Sequence, residues 1–124
     1  MPRFLPVLVL FSVSALFGQE IKSSELSNYE VLSEALANKS VPGLIVLDVR
    51  TPEEYSAGHI PGAVNLPLDR VFYEFPSKSA TAPLLVYGKP ASSDARKAAD
   101  ILRTRGYQNV ILFGSISQWK GDLQ

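Results

Sequence analysis

A buried strand, a short loop and an amphipathic helix follow one another without interruption between Pro83 and Gly106. The run Leu84–Tyr87 is apolar throughout, as in strands of parallel sheets whose two faces are both covered. Small and apolar residues then recur at the spacing of one helical stripe, at Ala95, Ala98, Ala99 and Leu102. This strand-loop-helix unit predicts an α/β fold built on a mainly parallel sheet.

The loop of this unit is the place where open α/β sheets form their binding crevice. We expect Ser92 or Ser93 to cap the helix, and Asp94 suits the positive end of its dipole. The free N–H groups at a helix start bind anions, although Pro90 removes one donor. We therefore predict an anion-binding loop, with these members: Gly88, Lys89, Ala91, Ser92, Ser93 and Asp94.

Chain length and composition restrict the classes of function. The 124 residues are enough for one compact domain and too few for two ordinary ones. Because the chain has no cysteine, disulfides, thiolate metal sites and thiol nucleophiles are all excluded. Twelve basic and twelve acidic residues give no net charge, so nothing favours nucleic acid or an anionic membrane surface.

Residues 1–18 have the layout of a secretory signal peptide. Arg3 precedes an uncharged apolar run from Phe4 to Phe17, and small and polar residues follow it. The alternative is a membrane anchor, but fourteen helical residues span about 21 Å and the hydrocarbon core is roughly 30 Å thick. We expect cleavage after Ala15 or Gly18, export to the periplasm or the medium, and no stable membrane span afterwards.

Start and stop signals divide the rest of the chain into alternating helices and strands. Ser27 and Glu30 form a capping-box pattern for a helix ending near Asn38. The apolar run 44–47 is of strand length, and residues 63–66 follow as a short strand before Pro67. Between these two strands we predict a short helix that ends at Gly58. Thr51 is its cap, Pro52 is its first helical residue, and Glu54 completes the capping box.

The stretch L-D-V-R-T-P-E-E-Y-S-A-G-H-I-P-G-A-V-N-L-P, from Leu47 to Pro67, resembles the first signature of the rhodanese-like domain family. The stretch from Leu112 to Trp119 is similar to the family's closing segment, with Ser115 in place of a second glycine. The resemblance covers residues 21–122. It implies a single α/β domain with a mainly parallel, five-stranded sheet flanked by helices.

In rhodanese-like enzymes a cysteine follows the central strand, and by this resemblance Gly88 occupies the position of that cysteine. Glycine cannot carry sulfur or form a phosphoenzyme, so sulfurtransferase and phosphatase activity both lose their nucleophile. We predict a catalytically inactive member without cofactor or metal, which binds an unidentified protein or a small anion. The alternative is a sulfurtransferase that uses a thiol from a partner or a small-molecule persulfide.

Four further residues belong to the family motif by resemblance: Asp48, Arg50, His59 and Gly62. Asp48 and Arg50 are a candidate acid and substrate clamp, but the resemblance implies a structural pair that ties neighbouring loops together. His59 has no second ligand-type neighbour, so we expect a structural hydrogen bond and not a metal site. Because that only histidine lies in another motif, Ser92 and Ser93 lack the base that a serine nucleophile needs.

The aromatic residues fall into two groups. We expect Tyr107, Phe113 and Trp119 to close the core. Phe72, Tyr73 and Phe75 cluster in an irregular segment, and their exposure would indicate a partner surface. Such a surface together with a filled crevice would instead indicate a scaffold subunit with no ligand in the loop.

Overall fold

The computed structural model describes residues 21–124. Its sheet has four strands: β1 (Ile45–Asp48), β2 (Val64–Asn65), β3 (Leu84–Gly88) and β4 (Val110–Ser115). All four strands are parallel, and their order in the sheet is β2-β1-β3-β4. The α-helices are α1 (Tyr29–Asn38), α2 (Pro52–Ala57) and α3 (Asp94–Thr104). Short 3₁₀ helices cover Ser23–Ser27, Leu68–Arg70 and Ile116–Gln118. The predicted signal peptide lies outside the described residues.

Strand β3 lies between β1 and β4, and all of its residues are buried, as its apolar sequence predicts. Leu85 and Tyr87 lie in the core cluster that also contains Leu32 of α1, while Leu84 and Val86 lie in the cluster on the other face. The second cluster includes Ala95, Ala98 and Leu102 of α3. A parallel sheet between two helical layers confirms the predicted α/β fold, and small alanines let α3 pack closely on the strands.

Two details of the predicted fold are wrong. Among residues 21–124 the sheet has four strands and not the five that the family resemblance implies. The segment before α1 forms the 3₁₀ helix Ser23–Ser27, which packs beside β4. The cap of α1 is Asn28, whose Oδ1 accepts from Val31 N at 3.2 Å. Ser27 instead donates to Ser24 O, within the preceding turn.

Helix α2 begins and ends where the sequence predicts. The Thr51 hydroxyl accepts from Glu54 N at 3.2 Å, Thr51 N donates to the Glu54 carboxylate at 3.1 Å, and Pro52 is the first helical residue. Gly58 ends the helix. Over residues 21–124, no helix combines the length and the apolarity that crossing a membrane would require.

Candidate functional site

Gly88 is the last residue of β3 and is buried at the carboxyl edge of the sheet. A Cβ atom at this position would lie 3.3 Å from the backbone nitrogen of Ala95 and 3.6 Å from Val49 Cγ2. Position 88 therefore faces the first turn of α3, where N–H groups and the helix dipole favour negative charge. The site has the backbone setting for an anionic nucleophile but no side chain there.

The loop from residue 89 to 93 turns sharply at Ala91, whose φ of +56° is in the left-handed region. A residue with a Cβ atom adopts this conformation at a cost of roughly 1 kcal/mol, so the surrounding loop must hold Ala91 in place. Ser93 is the N-cap residue of α3, but its side chain makes no capping bond. Ser92 makes the bond to the start of the helix instead, because its hydroxyl accepts from Asp94 N at 3.0 Å.

Several backbone donors meet in this loop. Within residues 21–124, the N–H groups of Lys89, Ala91 and Ser93 form no hydrogen bond. The structure thus brings together the six residues predicted for the anion-binding loop, and Pro90 interrupts the series of donors because it has no N–H. Unpaired N–H groups next to a helix start are the elements of a backbone anion site.

The cleft beside the loop has the opposite electrostatic character. It has a volume of about 400 Å³, and its charged lining comprises two cations and four carboxylates: Arg50, Lys89, Glu53, Glu54, Asp69 and Asp94. The N–H and hydroxyl of Thr51, followed by the charges of Lys89 and Arg50, lower the pKa of Glu54. With four acidic and two basic residues, the lining disfavours an incoming anion.

A buried network centred on Asp48 lies beneath the loop. The carboxylate is fully buried and accepts from Arg50 N at 2.9 Å, from Arg50 Nη2 at 2.7 Å and from the Tyr87 hydroxyl at 2.7 Å. Arg50 Nη2 also donates to Gly58 O at 2.6 Å, and Tyr87 Oη accepts from Ile60 N at 3.1 Å. The network thus joins β1, β3 and the turn after α2.

The electrostatics of this network favour a structural role. Burial, together with the hydrogen bond to Asp48, raises the pKa of Tyr87, so its phenol stays neutral and donates. Desolvation opposes the charge of Arg50, but the hydrogen bond and attraction of Asp48 outweigh it and raise the pKa of Arg50. Because Arg50 Nε and Nη2 both bind Asp48, these groups are not free to clamp a substrate.

The His59 ring stacks on the ring of Tyr55, with centroids 3.8 Å apart and an interplanar angle of 6°. Its Nδ1 lies 2.9 Å from Tyr55 O, which places the ring proton on Nδ1 in the neutral form. The backbone of His59 exchanges two hydrogen bonds with Gln124, and Gly62 N donates to Gln124 Oε1 at 2.9 Å. Residues 21–124 contain no group of three metal-ligand side chains.

Sequence reasoning missed two members of these contacts. The apolar pattern indicates only a strand residue at Tyr87, although a hydroxyl at the end of such a run is a signal for a buried hydrogen bond. Gln124 binds the turn at Gly62, 62 positions earlier, and no local pattern indicates that pairing.

Comparison with known proteins places this geometry in a family. A family model described as the rhodanese-like domain matches residues 29–122. The thiosulfate:glutathione sulfurtransferase of Saccharomyces cerevisiae is 31% identical over 82% of this chain and 86% of its own length. The crystal structure of the Alr3790 protein from Anabaena sp. gives a TM-score of 0.69 at 28% identity, over 78% of this chain and 80% of that chain.

A structure of a rhodanese with anions from E. coli gives a TM-score of 0.60 at 28% identity, over 65% of this chain and 96% of that chain. The family match spans α1 to the closing segment and includes the loop with Gly88. The chain therefore belongs to the rhodanese-like domain family.

Proposed function

We propose that this chain is an exported, non-catalytic rhodanese-like domain that acts by binding a partner protein. The observation that carries the proposal is Gly88, which stands at the carboxyl end of the central strand with no cysteine anywhere in the 124 residues. Transfer of sulfur through an enzyme-bound persulfide needs a thiolate, and no other side chain supplies one. Relatives such as the yeast enzyme are named as sulfurtransferases, so loss of the carrier separates this chain from that activity.

The geometry also disfavours the alternative in which a partner or small molecule lends its thiol. Gly88 is buried, and a Cβ atom at position 88 would lie 3.3 to 3.6 Å from atoms of Ala95 and Val49, so little open space lies beside this residue. A foreign sulfur would have to enter this buried position, and Gly88 has no side chain to hold it there. The test is thiosulfate with cyanide as acceptor: we expect thiocyanate to form at the rate without protein, and protein-dependent formation would contradict the proposal.

Export is the part of the proposal that rests on the sequence alone. Arg3 and the uncharged run from Phe4 to Phe17 support a cleaved signal peptide. Mass spectrometry of the native protein should find a mature amino terminus near Leu16 or Gln19, and an intact Met1 in cytosol would contradict export.

Binding of a small anion in the loop is a second candidate, favoured by the unpaired N–H groups next to α3. The related E. coli rhodanese is described with anions, which supports the same chemistry here. The carboxylate of Asp94, in the first turn of α3, already lies at the positive end of the helix and competes with a ligand.

An NMR titration with sulfate, phosphate and thiosulfate tests the anion candidate. We expect millimolar anion to shift the amide signals of Lys89 to Ala95. Asp94→Asn should tighten binding by about threefold, because removing one charge beside a partly exposed anion is worth roughly 0.5 to 1 kcal/mol. Asp100→Asn, farther along the same helix, is the matched control and should change nothing. Unmoved signals with all three anions would eliminate the candidate.

A further inference from the structure

Three large aromatic side chains are exposed far from the Gly88 loop. Phe72, Tyr73 and Phe75 have exposed fractions of 59%, 76% and 77%. Arg105 holds this segment in place, because its Nη1 donates to Val71 O and to Glu74 O, both at 2.6 Å. The aromatic residues are therefore presented on a fixed backbone, which is a property of binding surfaces.

Phe75 and Tyr107 both line a cleft of about 360 Å³. The cleft lies at the amino-terminal ends of β3 and β4, because its residues 77–80 precede β3 and Tyr107 precedes β4. The Gly88 loop follows the carboxyl end of β3. Since the strands are parallel, the two places are at opposite edges of the sheet.

The charges in this cleft are all positive. Its charged lining residues are Lys78 and Arg105, and neither forms a salt bridge within residues 21–124. The Arg105 guanidinium lies 4.7 Å from the ring centroid of Phe75 and 5.9 Å from that of Tyr107. Within residues 21–124, the side-chain hydrogen bonds of Arg105 all use Nη1 and go to neutral carbonyl groups. Its Nε and Nη2 donors remain available and form a pair that can bind both oxygens of a carboxylate.

A second groove, of about 160 Å³, is also lined by Phe75. Its lining combines the apolar side chains of Ile45, Leu47 and Val64 with Glu74, whose carboxylate pairs with Arg70 at 3.4 Å. Phe75 thus lines both a cationic aromatic cleft and a mixed groove whose one carboxylate already has a counter-ion. An occupant that contacts both must be longer than a single small metabolite, as an extended peptide is.

We propose that this surface, consisting of the cleft and the groove that share Phe75, binds an acidic peptide segment of a partner protein. An aromatic side chain of the segment enters the cleft beside Phe75 and Tyr107, and a neighbouring carboxylate binds Arg105 and Lys78. Charge complementarity selects this occupant, because a basic segment would face two uncompensated cations. The inference rests on the proposed binding function and names the chemistry of its partner.

Three short peptides serve as probes in an NMR titration: acetyl-Asp-Phe-Asp-amide, acetyl-Asp-Ala-Asp-amide and acetyl-Lys-Phe-Lys-amide. We expect the first to shift the amide signals of Ala80, Gly106 and Tyr107 at millimolar concentrations. The other two should bind at least about fivefold more weakly, since each lacks one contact worth about 1 kcal/mol. Equal shifts with the lysine peptide, or no shifts with the first peptide, would overturn the proposal.

Matched variants locate the effect. Phe75→Ala and Lys78→Glu should each weaken binding of acetyl-Asp-Phe-Asp-amide by about fivefold or more. Tyr73→Ala removes an equally exposed aromatic outside the cleft, and Lys97→Glu makes the same charge change on α3, so both should leave the affinity unchanged. If Phe75→Ala instead abolishes a concentration-dependent dimer, the occupant is a second copy of the chain and the proposal is wrong. Activity with thiosulfate would refute the non-catalytic function without moving these signals.

Discussion

Replacing Asp48 with alanine should lower the free energy of unfolding by about 3 to 5 kcal/mol, as expected when one partner of a buried ion pair is removed. The substitution leaves the guanidinium of Arg50, whose side chain is 9% exposed, without its counter-ion. It also removes the acceptor for Arg50 N and for the hydroxyl of Tyr87. Urea unfolding followed by circular dichroism measures the change.

Asp100→Ala is the matched control, because this carboxylate is 66% exposed and pairs with Arg103 on the surface of α3. Its loss should cost about 0.5 kcal/mol or less. Tyr87→Phe separates the hydroxyl from the charge and should cost about 1 to 3 kcal/mol, since Ile60 N loses its acceptor. If Asp48→Ala is no more destabilising than Asp100→Ala, the network does not hold the turn after α2 as described.

Gly88→Cys should restore little thiosulfate sulfurtransferase activity, and its turnover should lie at least about a hundredfold below that of a rhodanese with an intact loop. A thiolate at position 88 would point at the first turn of α3, but Pro90 lacks one N–H donor of the cradle. One missing donor of this kind costs about a hundredfold to a thousandfold in rate. Asp94 and the acidic cleft also oppose thiolate formation.

Gly88→Ser is the control for Gly88→Cys, because it adds a side chain of nearly the same size without a thiol. Both variants should fold, since the nearest atom to the new Cβ is Ala95 N at 3.3 Å and a shift of a few tenths of an ångström relieves the contact. Turnover of Gly88→Cys at the level of an intact rhodanese would show that the cradle is complete and that only the nucleophile was lost.

Much of the fold is predictable from local patterns. The strand before Gly88 and the stripe Ala95 to Leu102 carry strong periodic signals, and the structure places them as β3 and α3. Likewise Thr51 and Glu54 specify a helix start by direct hydrogen bonds between near neighbours. Where a structural feature depends on contacts within four residues, the sequence predicts it well.

Features that depend on distant contacts or on competing local bonds were harder to predict. Ser27 and Asn28 are both acceptable caps for α1, and the structure uses Asn28 because the Ser27 hydroxyl already donates to Ser24 O in the preceding turn. The sequence predicted that the loop would offer backbone donors. It did not indicate that Glu53 and Asp69, from other segments, would make the neighbouring cleft acidic.

The most direct test of the central claim measures sulfite release from thiosulfate by the unmutated protein with glutathione as the sulfur acceptor. Glutathione supplies a thiol from outside, so the assay covers both the missing cysteine and a thiol borrowed from a small molecule. The account predicts sulfite formation at the rate seen without protein, because Gly88 carries no sulfur and the chain has no thiol to hold it. Sulfite release that rises in proportion to protein concentration, and that Gly88→Ser changes, would contradict it.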